Sequence, residues 1–127
     1  MLNELRGAES ILIADDEPVV LSLTKLILLK YGYKVLVATN GQEALQVLRS
    51  AGPVDLLLTD VVMPVMTGPE LAHQMKQELA DLRCVFMSGY DHEQIHKHGV
   101  GCDYLRKPFT PEMLLRKVRQ TLDFVRA

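Results

Sequence analysis

Five short apolar runs recur along the chain at regular spacing, and that alternation restricts the possible folds more than any other feature. The runs are Ile11–Ala14, Lys34–Ala38, Leu56–Thr59, Cys84–Met87 and Tyr104–Leu105. They are mostly β-branched or aliphatic and lack clean polar–apolar alternation, as strands covered on both faces do. The longer segments between them have helical period and recognisable starts. Asn40-x-x-Glu43 and Thr67-x-x-Glu70 read as capping boxes. Thr110-Pro111 sets a cap residue before a proline at the first helical position, and Gly32 fits the C-terminal stop of the first helix. Five β-α units in succession predict an α/β fold: a single doubly wound, five-stranded parallel sheet with helices on both faces.

Right-handed crossovers leave few topologies open, and the flavodoxin-like (βα)5 strand order 2-1-3-4-5 is the usual one for five strands. With 127 residues, the chain fits one domain, 1–127, with a core of about 9–124. Apolar residues make up 48% and charged residues 24%, an ordinary globular balance that needs no disulfide or structural metal. The formal charge is −2 and the Lys and Arg residues are scattered, which argues against a nucleic-acid surface. Met1–Ser10 has no apolar signal core. Val19–Leu29 is broken by Ser22, Thr24 and Lys25 and is too short to span a bilayer, so no membrane contact is expected. Cys84 and Cys102 read as two reduced thiols in a cytoplasmic protein.

In sheets of this kind ligands bind beyond the carboxyl ends of the strands, where the order reverses between strands 1 and 3. Strand 1 ends in Asp15-Asp16, strand 3 in Asp60 and strand 4 in Ser88, while strand 5 runs into Lys107-Pro108. Neighbouring strands roughly 5 Å apart would crowd three carboxylates together, and such a cluster repels itself unless neutralised. A hard divalent cation resolves the crowding. Mg²⁺ takes one or two carboxylates, several waters and a phosphate oxygen, so Asp16 and Asp60 are expected as direct ligands, with Asp15 acting through water. Lys107 offers a point charge for phosphate and Ser88 a hydroxyl donor. Phosphoryl transfer requires mainly positioning and charge neutralisation. Asp60, on the central strand, is the expected nucleophile, since carboxylates form aspartyl-phosphates.

The set Asp15-Asp16, Asp60-x-x-Met63-Pro64-x-x-x-Gly68, Ser88-Gly89 and Tyr104-x-x-Lys107-Pro108-Phe109 resembles the receiver domain of bacterial two-component response regulators. The run Phe86–Tyr90 together with Leu105–Phe109 looks most like receivers attached to hybrid histidine kinases. The resemblance implies an autocatalytic phosphoacceptor rather than a turnover enzyme. Its Asp60 would take phosphate from a histidine kinase or a histidine phosphotransfer protein. The resemblance also implies that the Val62 carbonyl completes the metal shell and that the Lys107-Pro108 bond is cis. Ser88 would swing toward the phosphate while Tyr104 turns inward, repacking the face formed by the helix before strand 5, strand 5 and the last helix. Taken alone, Tyr104 reads equally well as a half-buried strand tyrosine.

One motif competes. His92-Glu93-Gln94-Ile95-His96 fits the zinc pattern H-E-x-x-H and suggests a zinc metalloprotein or metalloprotease. The segment between strands 4 and 5 has room for only about two helical turns, and Gly99 and Gly101 would end them, so this reading ranks behind the phosphoacceptor. A haloacid-dehalogenase-like phosphatase would want an aspartate at position 62, which is Val, and a dinucleotide fold would want glycines where Asp15-Asp16-Glu17-Pro18 stands. In the first helix Val19, Val20, Leu23, Leu26 and Ile27 form the expected core arc, leaving Leu21 and Leu28 as a candidate partner contact. Val62 and Tyr90 offer no group to orient an attacking water, so slow self-dephosphorylation is expected.

Overall fold

The computed structural model describes residues 2–89 and 102–124. After a short 3-10 turn at Leu2–Leu5, the elements are β1 (Ser10–Ala14), α1 (Pro18–Lys30), β2 (Lys34–Ala38), α2 (Gly41–Ala51) and β3 (Leu56–Asp60). They continue with α3 (Gly68–Glu78), β4 (Arg83–Ser88), β5 (Cys102–Arg106) and α4 (Pro111–Asp123). All five strands are parallel, in the order β2-β1-β3-β4-β5. This is the expected flavodoxin-like sheet, with four α-helices among the described residues. None of these helices is long and apolar enough to cross a membrane.

Strand side chains alternate between two cores. Leu12, Ala14, Leu57, Cys84 and Phe86 pack on one face with α2 and α3. Ile11, Ile13, Leu56, Leu58, Val85, Met87 and Leu105 pack on the other with α1 and α4. Both faces are thus covered, which is why the strands read as continuous apolar runs. Register fixes the functional rim. Ala14 pairs with Thr59 and Asp60 with Met87, so the residues just beyond β1, β3 and β4 emerge side by side.

Local signals set the helix ends. Thr67 and Glu70 form a complete capping box at α3. At α2 only half of the expected box forms: the Asn40 side chain accepts from the Glu43 amide at 2.8 Å, but Glu43 reaches back to the Thr39 amide at 2.9 Å instead. Gly32, at φ 98°, closes α1: its amide donates to Leu29 and that of Tyr33 to Leu28, the paired bonds of a Schellman ending. At the last helix, the Arg83 guanidinium donates to the carbonyls of Thr121 and Leu122 at 2.7 and 2.6 Å, tying the start of β4 to the end of α4. Arg119 clamps the other side, pairing with Glu9 at 2.6 Å and Asp123 at 2.7 Å. Its hydrogen bonds hold the Glu9 carboxyl down at a pKa of about 2.

The expected face of α1 is corrected. Leu28 is fully buried and Leu21 packs against the core, whereas Leu23 and Leu26 are 56% and 62% exposed and Val19 lies out in solvent. The buried stripe runs through Leu21, Thr24 and Leu28. Thr24 sits on the core face although it is polar. Because α1 is apolar on nearly every side, period alone could not say which side is covered. The candidate partner contact therefore moves from Leu21 and Leu28 to Val19, Leu23 and Leu26.

Between β3 and α3, Val65 holds φ 74° with its side chain 77% exposed. A left-handed conformation costs an L-residue about 1–2 kcal/mol, and a β-branched side chain is a poor occupant. Replacing it with glycine forfeits roughly 0.4–1 kcal/mol through the unfolded chain's added freedom. Val65→Gly is therefore expected to raise the unfolding free energy by about 0.5–1 kcal/mol, measured by urea denaturation. An unchanged or lower midpoint would contradict the strain.

Candidate functional site

The rim gathers residues from four strand ends into one cleft of about 500 Å³, lined by Asp16, Glu17, Asp60, Val62, Ser88, Gly89 and Lys107. Asp15, Asp16 and Asp60 each offer a carboxylate oxygen within 4.8 Å of the others. They differ in depth. Asp15 is fully buried, Asp60 half-buried and Asp16 exposed. Both Asp15 oxygens are engaged: Oδ1 accepts the Glu17 amide at 2.9 Å and Oδ2 accepts the Lys107 ammonium at 3.0 Å. Asp16 and Asp60 face the cleft.

Lys107 reaches across from the end of β5. Its Nζ lies 3.0 Å from Asp15, 3.3 Å from Glu17 and 3.6 Å from Asp60. The strand end holds it in place, because its amide donates to the Ser88 carbonyl at 2.7 Å and the Lys107–Pro108 peptide is cis. Burial works against the Lys107 ammonium, but its hydrogen bond to Asp15 and the charges of Asp15 and Asp60 outweigh this and hold its pKa above the ordinary lysine value. For Asp60, burial is the largest influence and pushes the carboxyl up to about 6; Lys107 pulls it down, and Asp15 and Asp16 push it up again. One ammonium does not neutralise three crowded carboxylates and a glutamate.

The loop after Asp60 folds tightly back on the site. The Gly68 amide donates to the Val61 carbonyl at 2.9 Å and the Val61 amide to Met87 at 3.0 Å. A Cβ on Gly68 would collide with the Asp60 carbonyl oxygen and lie 3.1 Å from the Thr59 methyl, so only glycine lets α3 start this close to the strand end. Thr59 braces the turn from below, its hydroxyl donating to the Asp60 carbonyl at 3.0 Å.

Of the residues singled out in the sequence, Asp16, Asp60, Val62, Ser88 and Lys107 line the cleft, with Asp15 directly beneath. Ser88 is buried at the cleft wall. Tyr104 is not in the lining; it is half-buried on β5, paired in register with Phe86 and packed toward the α2–α3 side. His92, Glu93 and His96, together with Tyr90 and the helix expected between the fourth and fifth strands, lie outside the described residues. Among the described residues, the three aspartates form the one cluster suited to a metal ion. Glu17 is the residue that sequence reasoning missed. It read as part of a helix start, yet its side chain makes no cap bond and turns to Lys107 instead. Its place directly after Asp15-Asp16 was the available signal.

Beside this cleft, and sharing Glu17 and Lys107 with it, runs an apolar groove between α1 and the β5–α4 turn, lined by Val20, Leu23, Ile27, Pro108, Phe109 and Pro111.

Comparison with known proteins agrees with this layout. The sequence model of the response regulator receiver domain matches residues 11–119. The sensor kinase CckA of Brucella abortus is 32% identical over 124 residues, which is 94% of this chain and 13% of that protein. The response regulator SaeR of Staphylococcus aureus is 29% identical over 115 residues, 88% of this chain and 50% of that one. The chain thus spans half or less of these relatives' length. Among solved structures, the receiver domain of the hybrid histidine kinase CckA superposes with a TM-score of 0.78 at 35% identity, covering 90% of this chain and 99% of that one. The chemotaxis protein CheY4 of Vibrio cholerae gives 0.83 at 26% identity, covering 91% and 99%.

The raised pKa of Asp60 has a consequence for stability. Its folded value of about 6 lies above the ordinary 3.8, so between these values the folded state binds more protons than the unfolded one, and stability falls as pH rises. In metal-free buffer at pH 7.5, Asp60→Asn is expected to gain on the order of 1–3 kcal/mol. The gain should shrink as pH drops through about 6 and vanish below 3.8. Denaturation curves across pH check this, and a gain independent of pH would contradict it.

Proposed function

Because the chain belongs to the response regulator receiver domain family, we propose that it is a phosphoacceptor switch in which Asp60 takes a phosphoryl group from a phosphohistidine. The observation that carries this reading is the meeting of three carboxylates within 4.8 Å with one half-buried ammonium in an open cleft. A Asp60 carboxylate oxygen attacks phosphorus, the new O–P bond forms as the P–N bond breaks, and the electron pair returns to the imidazole nitrogen. The protein turns over no further substrate; its product is its own modified state.

The donors fit Mg²⁺, since they are hard carboxylate oxygens open on one side to a phosphate. Asp16 and Asp60 would hold the ion directly, with the Val62 carbonyl. Asp15, with both oxygens already engaged, would act through water. When bound, the ion supplies the positive charge that lets a phosphate approach an acidic cleft. Lys107 is the residue that follows the charge: it rests on Asp15 and Glu17 and would transfer to a phosphoryl oxygen. Ser88 would donate to a second oxygen, and Tyr104 would turn inward behind it.

The partner is a histidine kinase or a histidine phosphotransfer protein, and it would seat on the apolar groove along α1, which leads directly to the cleft past Glu17 and Lys107. Nucleic acid and membrane play no direct part in this reading, and a cytoplasmic setting suits a kinase partner. The chain acts as one receiver unit, a module that CckA and SaeR carry within longer proteins. Val62, exposed at the cleft edge, carries no group that could orient an attacking water, so the phosphorylated form should be long-lived.

Incubation with Mg²⁺ and acetyl phosphate, followed by intact mass spectrometry, tests the assignment. One base-labile phosphoryl adduct is expected on the wild type and none on Asp60→Asn, and Val62→Asn should shorten the adduct's lifetime. An adduct that survives in Asp60→Asn would overturn the choice of acceptor.

A further inference from the structure

The two cysteines, widely separated in sequence, meet on the sheet. Cys84 opens the buried part of β4 and Cys102 is the first residue of β5; they are register partners on adjacent parallel strands and point to the same face. Neighbouring strands lie about 4.8 Å apart, inside the range of about 4.4–6.8 Å that a disulfide spans between Cα atoms. Two thiols side by side in a core are usually just small apolar fillers. Two further observations set this pair apart. The Lys76 ammonium, from α3, lies 3.0 Å from the Cys102 sulfur. Cys102 is also only partly buried, on a strand at the sheet edge.

We propose that Cys102, Lys76 and Cys84 form a thiol modification site, in which Cys102 reacts with a hydroperoxide and Cys84 resolves the product as an intramolecular disulfide. The roles follow from position. The nucleophile must be reachable and its negative charge supported; Cys102 is partly exposed and touches a cation, whereas Cys84 is fully buried. The Cys102 thiolate attacks the near oxygen of the hydroperoxide, an S–O bond forms, the O–O bond breaks and the alcohol leaves with a proton. The Cys84 sulfur then attacks the Cys102 sulfur, an S–S bond forms and the S–O bond breaks. Hydroxide departs and takes the Cys84 proton as water. Two thiols are oxidised and one hydroperoxide is reduced. The site lies at the opposite end of β5 from Lys107, roughly five residues at about 3.3 Å each. The bond would lock the edge strand to β4 two register positions before the Phe86–Tyr104 pair.

The test treats the native protein with hydrogen peroxide, quenches with an alkylating agent and weighs it. The expected product is lighter by two hydrogen atoms, resists alkylation until reduced, and yields linked tryptic peptides 84–97 and 98–106. Lys76→Met, at a partly exposed position, should slow the reaction roughly tenfold, and Cys102→Ser should abolish it. Oxygen addition at Cys102 without linkage, linkage only between two copies of the chain, or a rate untouched by Lys76→Met would each overturn the proposal.

Discussion

Everything at the rim depends on a charge conflict that the fold creates and only partly relieves. A parallel sheet whose order reverses between β1 and β3 brings the ends of those strands together, and here both ends carry aspartates. Like charges at such spacing raise the cost of ionisation, and burial adds to it, which is why Asp60 is pushed to about 6. Among the described residues, Lys107 is the cation that answers. It sits closer to the deepest carboxylate, Asp15, at 3.0 Å than to Asp60 at 3.6 Å. Asp60 is therefore less compensated than Asp15. In the proposed function, a divalent cation and a phosphate together would complete the balance.

The scaffold serves this conflict with rigid parts. Asp60 ends a strand buried on both faces, Thr59 and Gly68 pin its carbonyl from below and beside, and Arg83 and Arg119 fix α4 against the sheet. Strain is concentrated in the loop after Asp60, where Val65 holds a left-handed backbone without a glycine's freedom. Strained positions of this kind gather near functional sites.

Much of this was legible in the sequence. Strand ends, strand order and the residues lining the cleft followed from apolar runs and the polar residue after each one, because right-handed crossovers in a doubly covered sheet leave few arrangements of those runs. The face of α1 was not legible. A helix apolar on most sides carries little phase information, and one of its few polar residues, Thr24, lies on the covered side. The partner of Glu43 was missed by one residue, since a capping box and a bond to the preceding amide leave the same signature. Glu17 was hidden because its role depends on Lys107, ninety positions away in sequence and adjacent only once β1 and β5 contribute to a common rim.

The most direct test of the central account is a crystal structure of the protein with Mg²⁺ and beryllofluoride, a stable mimic of the phosphoryl group. The account predicts beryllium bonded to an Asp60 carboxylate oxygen, the metal between Asp16 and Asp60, and Lys107 moved from Asp15 onto a fluorine. Beryllofluoride bound at any other residue, or Lys107 still resting on Asp15 with Asp60 bare, would contradict it.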